Sequence, residues 1–110
     1  MKQRLFVYGT LAPGRPNEHV LAPLGGTWQP AFVRGRLHAQ GWGAALGYPG
    51  LIPDDQGEEI RGFLFTADDL ATFWPTLDAF EGEQYARVLL NVHIDDGSVA
   101  PAYVYVLRSD

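Results

Sequence analysis

A paired β-strand signal in the last third of the chain constrains the fold most. Tyr85–Ile94 and Val99–Leu107 are two runs rich in β-branched and aromatic side chains, separated by the sequence Asp-Asp-Gly-Ser. An Asp-Gly pair between two such runs is typical of a β-hairpin, because glycine tolerates the positive φ that a tight turn requires. The chain is therefore predicted to close on an antiparallel hairpin.

Three earlier segments are also predicted to be strands. Residues 5–8 are a short apolar run, residues 60–65 have strand character, and apolar and polar side chains roughly alternate over residues 27–37. Alternation with a period of two is typical of a half-buried strand. In this strand Ala31, Val33 and Leu37 are expected on one face, with Arg34 and Arg36 on the other. The glycine-rich residues 40–50 are expected to be irregular.

One helix is predicted between these strands and the hairpin. Its apolar positions are Leu70, Phe73, Trp74 and Leu77. They follow the i, i+3, i+4, i+7 spacing of one helix face. Thr66 and Asp69 resemble a capping box at its start, Pro75 is predicted to kink or restart it, and Gly82 is predicted to end it.

Strands that dominate the chain, with one main helix and few parallel crossovers, predict an α+β fold built on a small barrel-like sheet. The length of 110 residues is that of one domain, so residues 1–110 are expected to form a single unit.

Composition argues against several classes of function. There is no cysteine and there are only three isolated histidines, which argues against disulfides, a thiol nucleophile and a zinc site. The net charge of −5 argues against nucleic acid as a partner. No apolar run approaches the ~20 residues of a membrane helix, and no secretory segment opens the chain, so a cytoplasmic protein without a membrane partner is expected.

The turn after the first strand is a candidate binding site. Tyr8 ends the apolar run, and Gly9, Thr10 and Leu11 follow it directly. Glycine allows close backbone approach, and the exposed N–H groups with the Thr10 hydroxyl could receive a carboxylate. The alternative is that the segment is simply a tight exit from the strand.

The end of the predicted helix carries a candidate acid/base. Glu81 precedes Gly82, so it should occupy the last helical turn, where the negative end of the macrodipole disfavours the ionised carboxylate. In a cavity beside Tyr85, such a group would suit general-base chemistry near neutral pH. The alternative is an exposed glutamate at a helix end. Asp78 and Glu83 compete for the same role, and spacing alone does not decide among them.

Several of these motifs together resemble a known family. The YGTL motif at residues 8–11 and the LDAFEG motif at residues 77–82, followed by Tyr85 and Arg87, are similar to those of the γ-glutamylcyclotransferase-like (AIG2-like) family. The resemblance extends over nearly the whole chain and includes the closing strand that carries Tyr105.

The resemblance implies a fold, a reaction and a set of roles. The fold would be a compact mixed β-barrel of about five to seven strands with one main helix. The reaction would be cyclisation of a small γ-glutamyl amide to 5-oxoproline without a cofactor or metal. Glu81 would be the acid/base, and the N–H groups of Gly9, Thr10 and Leu11 would bind the α-carboxylate.

Supporting roles are expected for a few further side chains. Tyr8, Tyr85 and Tyr105 are candidates to line the pocket, although composition favours an ordinary core or barrel-rim position for each. Arg36 and Arg87 could anchor a carboxylate or pair with acids such as Asp78. A noncatalytic module that binds a small carboxylate-bearing metabolite is the competing hypothesis.

Overall fold

The computed structural model describes residues 3–8, 21–38, 50–82 and 85–107, with the side chains of His38, Phe80 and Glu81 excepted. Its strands are β1 (Gln3–Val7), β2 (Thr27–His38), β3 (Gly50–Pro53), β4 (Glu58–Ala67), β5 (Tyr85–Ile94) and β6 (Val99–Leu107). Helix α1 (Leu70–Glu81) joins β4 to β5, and a 3₁₀ turn, Ala22–Leu24, precedes β2. The predicted strands and the predicted closing hairpin are confirmed.

The sheet closes into a mixed barrel. Its strand order is β3-β2-β4-β1-β6-β5, and a further pairing between β2 and β5 leaves five strands in the barrel and β3 outside it. The β1–β6 pair is parallel, whereas the other pairs are antiparallel. The predicted fold class is therefore confirmed. The assignment of residues 1–110 to a single domain stays a prediction.

Strand β3 was not predicted. The expected irregular segment was residues 40–50, but Gly50 begins β3 and the rest of that segment lies outside the described residues. Leu51 of β3 is fully buried against the barrel, so this strand contributes to the core although it is short. Its four residues include a glycine and a proline, which weaken any local strand signal.

Alternating residues of the barrel strands fill the interior. The interior cluster consists of Phe6, Ala31, Val33, Leu51, Ile60, Leu64, Val92, Ala102, Val104 and Val106. Ala31 and Val33 lie inside, and Leu37 continues the same alternation as predicted, but its side chain is 42% exposed. Leu37 lies next to the end of β2, where the strand pairs with β3 instead of with β4.

Helix α1 packs on the outer wall of the barrel. Leu70, Trp74 and Leu77 are buried and Phe73 is half-buried, which confirms the predicted apolar face. Their partners are Leu5, Val7, Phe65, Tyr85, Tyr105 and neighbouring residues. The helix therefore ends against β5 and β6.

One prediction about the helix itself is wrong. Thr66 lies within β4, paired with Arg4 and Thr27, and the side chain of Asp69 makes no capping hydrogen bond, so there is no capping box. Tertiary pairing extends the strand through Thr66. Of the two effects predicted for Pro75, a restart is excluded because the helix runs without interruption to Glu81, and a kink stays a prediction.

At 12 residues, α1 is too short to cross a bilayer, and the described part of the chain holds no other helix that could. Among the same residues, no three His, Cys, Asp or Glu side chains lie close enough together to hold a metal ion.

Candidate active site

The end of α1 has the backbone geometry that the sequence predicted. Glu81 is the last helical residue, and Gly82 follows with φ 90° and ψ 179°, a combination that is essentially restricted to glycine. The Gly82 N–H donates to the Asp78 carbonyl at 3.1 Å, and the Tyr85 N–H donates to the Gly82 carbonyl at 3.3 Å. A backbone hydrogen bond therefore links the end of α1 to the first residue of β5.

An open cleft of about 590 Å³ lies at this turn. Its lining residues are Asp78, Ala79, Gly82, Tyr85, Ala86, Arg87 and Tyr105. Two of the tyrosines that were predicted to line a pocket, Tyr85 and Tyr105, thus lie in one cleft beside the end of α1. Both tyrosines are buried, so the part of the cleft wall that they form is packed against the rest of the protein.

Asp78 is held as an ion pair at the edge of this cleft. Its Oδ1 accepts from the Tyr105 hydroxyl at 2.6 Å and from Arg87 Nε at 3.1 Å, and its Oδ2 accepts from Arg87 Nη2 at 3.3 Å. Burial alone would raise the pKa of Asp78, but the hydrogen bonds from Tyr105 and Arg87 and the charge of Arg87 outweigh it and lower that pKa below its usual value.

This environment makes Asp78 a poor candidate for the acid/base. A group that exchanges protons near neutral pH needs a pKa near that pH, whereas this one is pushed the other way. The prediction that Arg87 could pair with Asp78 is confirmed.

Arg87 is itself fixed by aromatic rings. Its guanidinium carbon lies 4.4 Å from the centroid of the Trp74 ring and 5.2 Å from that of Tyr103. These two rings meet edge to face at 5.1 Å, and the Arg87 side chain is only 25% exposed. Cation–π contact and the carboxylate fork together favour this one orientation of the arginine.

Tyr8 joins the opening strand to this region. Its hydroxyl donates to the Tyr105 carbonyl at 2.7 Å and accepts from the Leu51 N–H at 3.0 Å. Tyr105 is thus contacted through its backbone by Tyr8 and through its hydroxyl by Asp78 of α1. One residue therefore links the end of β1 with the last turns of the helix.

Several predicted site residues lie outside what is described. Gly9, Thr10, Leu11 and Glu83 belong to the undescribed segments, as does the side chain of Glu81. Their roles stay predictions. Arg36 pairs with Asp54 at 3.7 Å on an exposed surface and does not line the cleft.

Sequence reasoning missed how Tyr105 and Arg87 work together. The two residues are direct partners across the β5–β6 ladder. The register follows from the turn. Counting the same number of residues backward from Ile94 and forward from Ser98 places residue 87 opposite residue 105. The cross-strand pair could therefore have been predicted. The stacking on Trp74 could not, because it depends on how α1 packs.

Comparison with known proteins identifies relatives over nearly the full chain. A family model described as "Gamma-glutamyl cyclotransferase, AIG2-like" matches residues 5–110. A search of curated proteins found no significant match.

Solved structures show the same fold. YkqA from Bacillus subtilis is 30% identical with a TM-score of 0.74, and the match covers 98% of this chain but only 36% of YkqA. An AIG2-like protein from Mus musculus is 24% identical with a TM-score of 0.76, covering 99% of this chain and 79% of the mouse protein. A protein titled gamma-glutamyl cyclotransferase is 14% identical with a TM-score of 0.64, and the match covers 99% of this chain and 68% of that protein.

Proposed function

Because the chain belongs to the gamma-glutamyl cyclotransferase, AIG2-like family, we propose that it is an enzyme of γ-glutamyl cyclotransfer. Its substrate would be a small γ-glutamyl amine or γ-glutamyl amino acid. The products would be 5-oxoproline and the free amine.

The reaction is an intramolecular aminolysis. The α-amino nitrogen of the γ-glutamyl group attacks its own γ-carbonyl carbon, a new C–N bond closes the five-membered ring, and the original amide C–N bond breaks. The α-amine is mostly protonated at neutral pH and must lose a proton before it can attack. The departing nitrogen must gain one to leave as an amine. A single carboxyl group can carry out both transfers.

Glu81 is the residue proposed for these proton transfers. It occupies the C-terminal end of α1, where the helix dipole disfavours the charged carboxylate. Asp78, one of the two other candidates for this role, accepts hydrogen bonds from Arg87 and Tyr105, and its pKa is lowered. These hydrogen bonds support Glu81 over Asp78 as the acid/base.

The turn after β1 is proposed to orient the substrate. The N–H groups of Gly9, Thr10 and Leu11 would bind the α-carboxylate, while Tyr8, Tyr85 and Tyr105 would form the walls of the site. Folding a flexible glutamyl chain so that its two ends meet carries a large entropic cost, which binding in this position would offset.

The observation that carries the proposal is the double contact of Tyr105. It accepts a hydrogen bond from Tyr8, immediately before the turn, and donates one to Asp78, within the last helical turns. This geometry supports a shared site for the turn and the helix end, as the reaction requires.

The test is the Glu81→Gln variant, which keeps the size of the side chain but cannot accept and return the proton. Purified protein is assayed for 5-oxoproline release from a panel of γ-glutamyl amines and γ-glutamyl amino acids. We expect release by the wild type and a loss of at least about a hundredfold in kcat for the variant, since general acid–base catalysis contributes roughly 10²–10⁴-fold.

A matched control and a binding measurement complete the experiment. Glu58→Gln makes the same change on β4, where the residue is exposed and does not line the cleft, and should retain full activity. Substrate binding by Glu81→Gln, measured by calorimetry, should be largely kept. If the wild type binds the panel but releases no 5-oxoproline from any member, the noncatalytic carboxylate-binding module is the better description.

A further inference from the structure

We infer that the Asp78–Arg87 ion pair positions Glu81, by holding the last turn of α1 against β5 in one place. This inference rests on the proposed function, because it concerns how the acid/base of that reaction is held. Neither residue is proposed to touch the reacting atoms, so both are positioning residues.

Asp78 anchors the helix end in two directions. Its backbone carbonyl accepts a hydrogen bond from the Gly82 N–H, so this bond spans Glu81 in the sequence. Its carboxylate accepts two hydrogen bonds from the guanidinium of Arg87 on β5. Glu81 lies between the two residues of that backbone hydrogen bond. A shift of Asp78 relative to β5 would therefore move the backbone that carries the acid/base.

The partner on β5 is unusually well fixed for an arginine near the surface. Arg87 stacks on Trp74, which is part of the same helix, as well as on Tyr103 of β6. It thus contacts α1 at two points, the Trp74 ring and the Asp78 carboxylate, one turn apart. Two contacts a turn apart determine both the position and the rotation of the helix end.

Another ion pair in the molecule provides a matched control. Arg61 Nη2 lies 2.8 Å from Asp95 Oδ1 and 2.9 Å from its Oδ2, and the Arg61 guanidinium lies 6.0 Å from the centroid of the Phe32 ring. The pair has the same chemistry, a carboxylate with an aromatic neighbour, but Arg61 is 57% exposed and neither residue lines the cleft. Removing it tests the loss of an arginine–carboxylate pair as such.

The charges of the pair also act on the acid/base. Charges three residues apart on a helix interact, and Asp78 and Glu81 have this spacing in the sequence, so removal of either charge of the pair is expected to shift the pH dependence of the reaction. The titratable or charged side chains that the described residues bring to this cleft are Asp78 from α1, Tyr85 and Arg87 from β5, and Tyr105 from β6.

The kinetic experiment compares Arg87→Gln, Asp78→Asn and the double variant with wild type on the best substrate of the panel. We expect kcat to fall roughly ten- to a hundredfold in each single variant, as for small misplacements of a catalytic group, while KM changes less than about threefold. Arg61→Gln should leave both constants unchanged. Arg87→Lys keeps the charge without the planar fork and should recover only part of the kcat.

The pH dependence of kcat separates positioning from a general loss of structure. When the Arg87 charge is removed, the negative charge of Asp78 is no longer balanced. The acid limb of the kcat profile should then shift to higher pH by about half to one unit. With the Asp78 charge removed, the limb should move down by a similar amount. The double variant should return close to the wild-type limb, and added salt should reduce both shifts.

Distinct outcomes overturn the two proposals. Unchanged kcat in Arg87→Gln and Asp78→Asn, with Glu81→Gln inactive, would overturn the positioning role and leave the proposed function standing. The positioning role would also be overturned if the acid limbs of the kcat–pH profiles shifted in the same direction in both single variants. Should Arg87→Gln not fold, Asp78→Asn and Arg87→Lys decide by the same criteria. A wild type that releases no 5-oxoproline overturns the proposed function, and this inference with it.

Discussion

The hydroxyl of Tyr8 holds three strands together, so its removal should be costly for stability. It donates to the carbonyl of Tyr105 on β6 and accepts from the N–H of Leu51 on β3, while Tyr8 itself directly follows β1. Tyr8→Phe deletes this one oxygen and keeps the ring that stacks near Phe6. The change therefore isolates the hydrogen bonds from the packing.

The expected loss of stability follows from the hydrogen-bonding groups that lose their partner when the hydroxyl is removed. A typical neutral hydrogen bond contributes about 1 kcal/mol net, and a buried donor that loses its partner costs about 1–3 kcal/mol. Leu51 is fully buried, so its N–H cannot turn to bulk water after the substitution. We therefore expect Tyr8→Phe to lower the free energy of unfolding by about 2–3 kcal/mol.

The assay is urea unfolding followed by circular dichroism, with a parallel thermal scan. The midpoint should fall while the m-value stays constant, because the surface exposed on unfolding is unchanged. At about 4 °C per kcal/mol for a chain of this size, Tm should fall by about 8–12 °C.

Tyr103→Phe is the matched control for this substitution. Its ring packs edge to face on Trp74, but its hydroxyl makes no hydrogen bond to the residues that the structure describes. That variant should lose less than about 0.5 kcal/mol. A loss below about 0.5 kcal/mol for Tyr8→Phe as well would refute the reasoning, because the three-strand junction would then not depend on the hydroxyl.

Two further predictions concern the end of α1. Gly82→Ala should cost about 1–3 kcal/mol in urea unfolding, since φ 90° and ψ 179° is a glycine-only conformation. Gly25→Ala, at φ 62° and ψ 27° with nothing within 4 Å of its added methyl, should cost only about 1 kcal/mol, and equal stability of Gly82→Ala and wild type would contradict the strain. The second prediction is that Asp78→Asn destabilises the protein at neutral pH but not in acid. Because folding lowers the pKa of Asp78, its ionised form stabilises the native state above the ordinary value of 3.8, and that contribution is lost as the pH falls below it. The unfolding free energies of wild type and variant should therefore converge below about pH 3.8, and a constant difference down to pH 2 would argue against the ion pair as the cause.

Much of the fold was predictable because its signals are local. The hairpin of β5 and β6 follows from Asp-Asp-Gly-Ser between two β-rich runs, and Gly97 adopts the positive φ of 93° that such a turn needs. The buried face of α1 follows from apolar spacing alone. In both cases the physical cause lies within a few residues of the chain.

The failures occurred where distant residues decide. Thr66 had the local character of a helix cap, but pairing with β1 and β2 keeps it in a strand. Leu37 continues the alternation of β2 but is 42% exposed, because it lies near the end of the strand, where β2 has left β4 and pairs with β3. No local pattern reports which strands close a barrel.

For the site, the sequence by itself determined which residue types were present and that an acid would end the helix at Glu81. Only the tertiary structure decided what Asp78 does, because its partners come from two other elements, Arg87 of β5 and Tyr105 of β6. A carboxylate's proton affinity depends on the charges and donors within a few ångströms of it, and those neighbours are set by packing rather than by sequence separation.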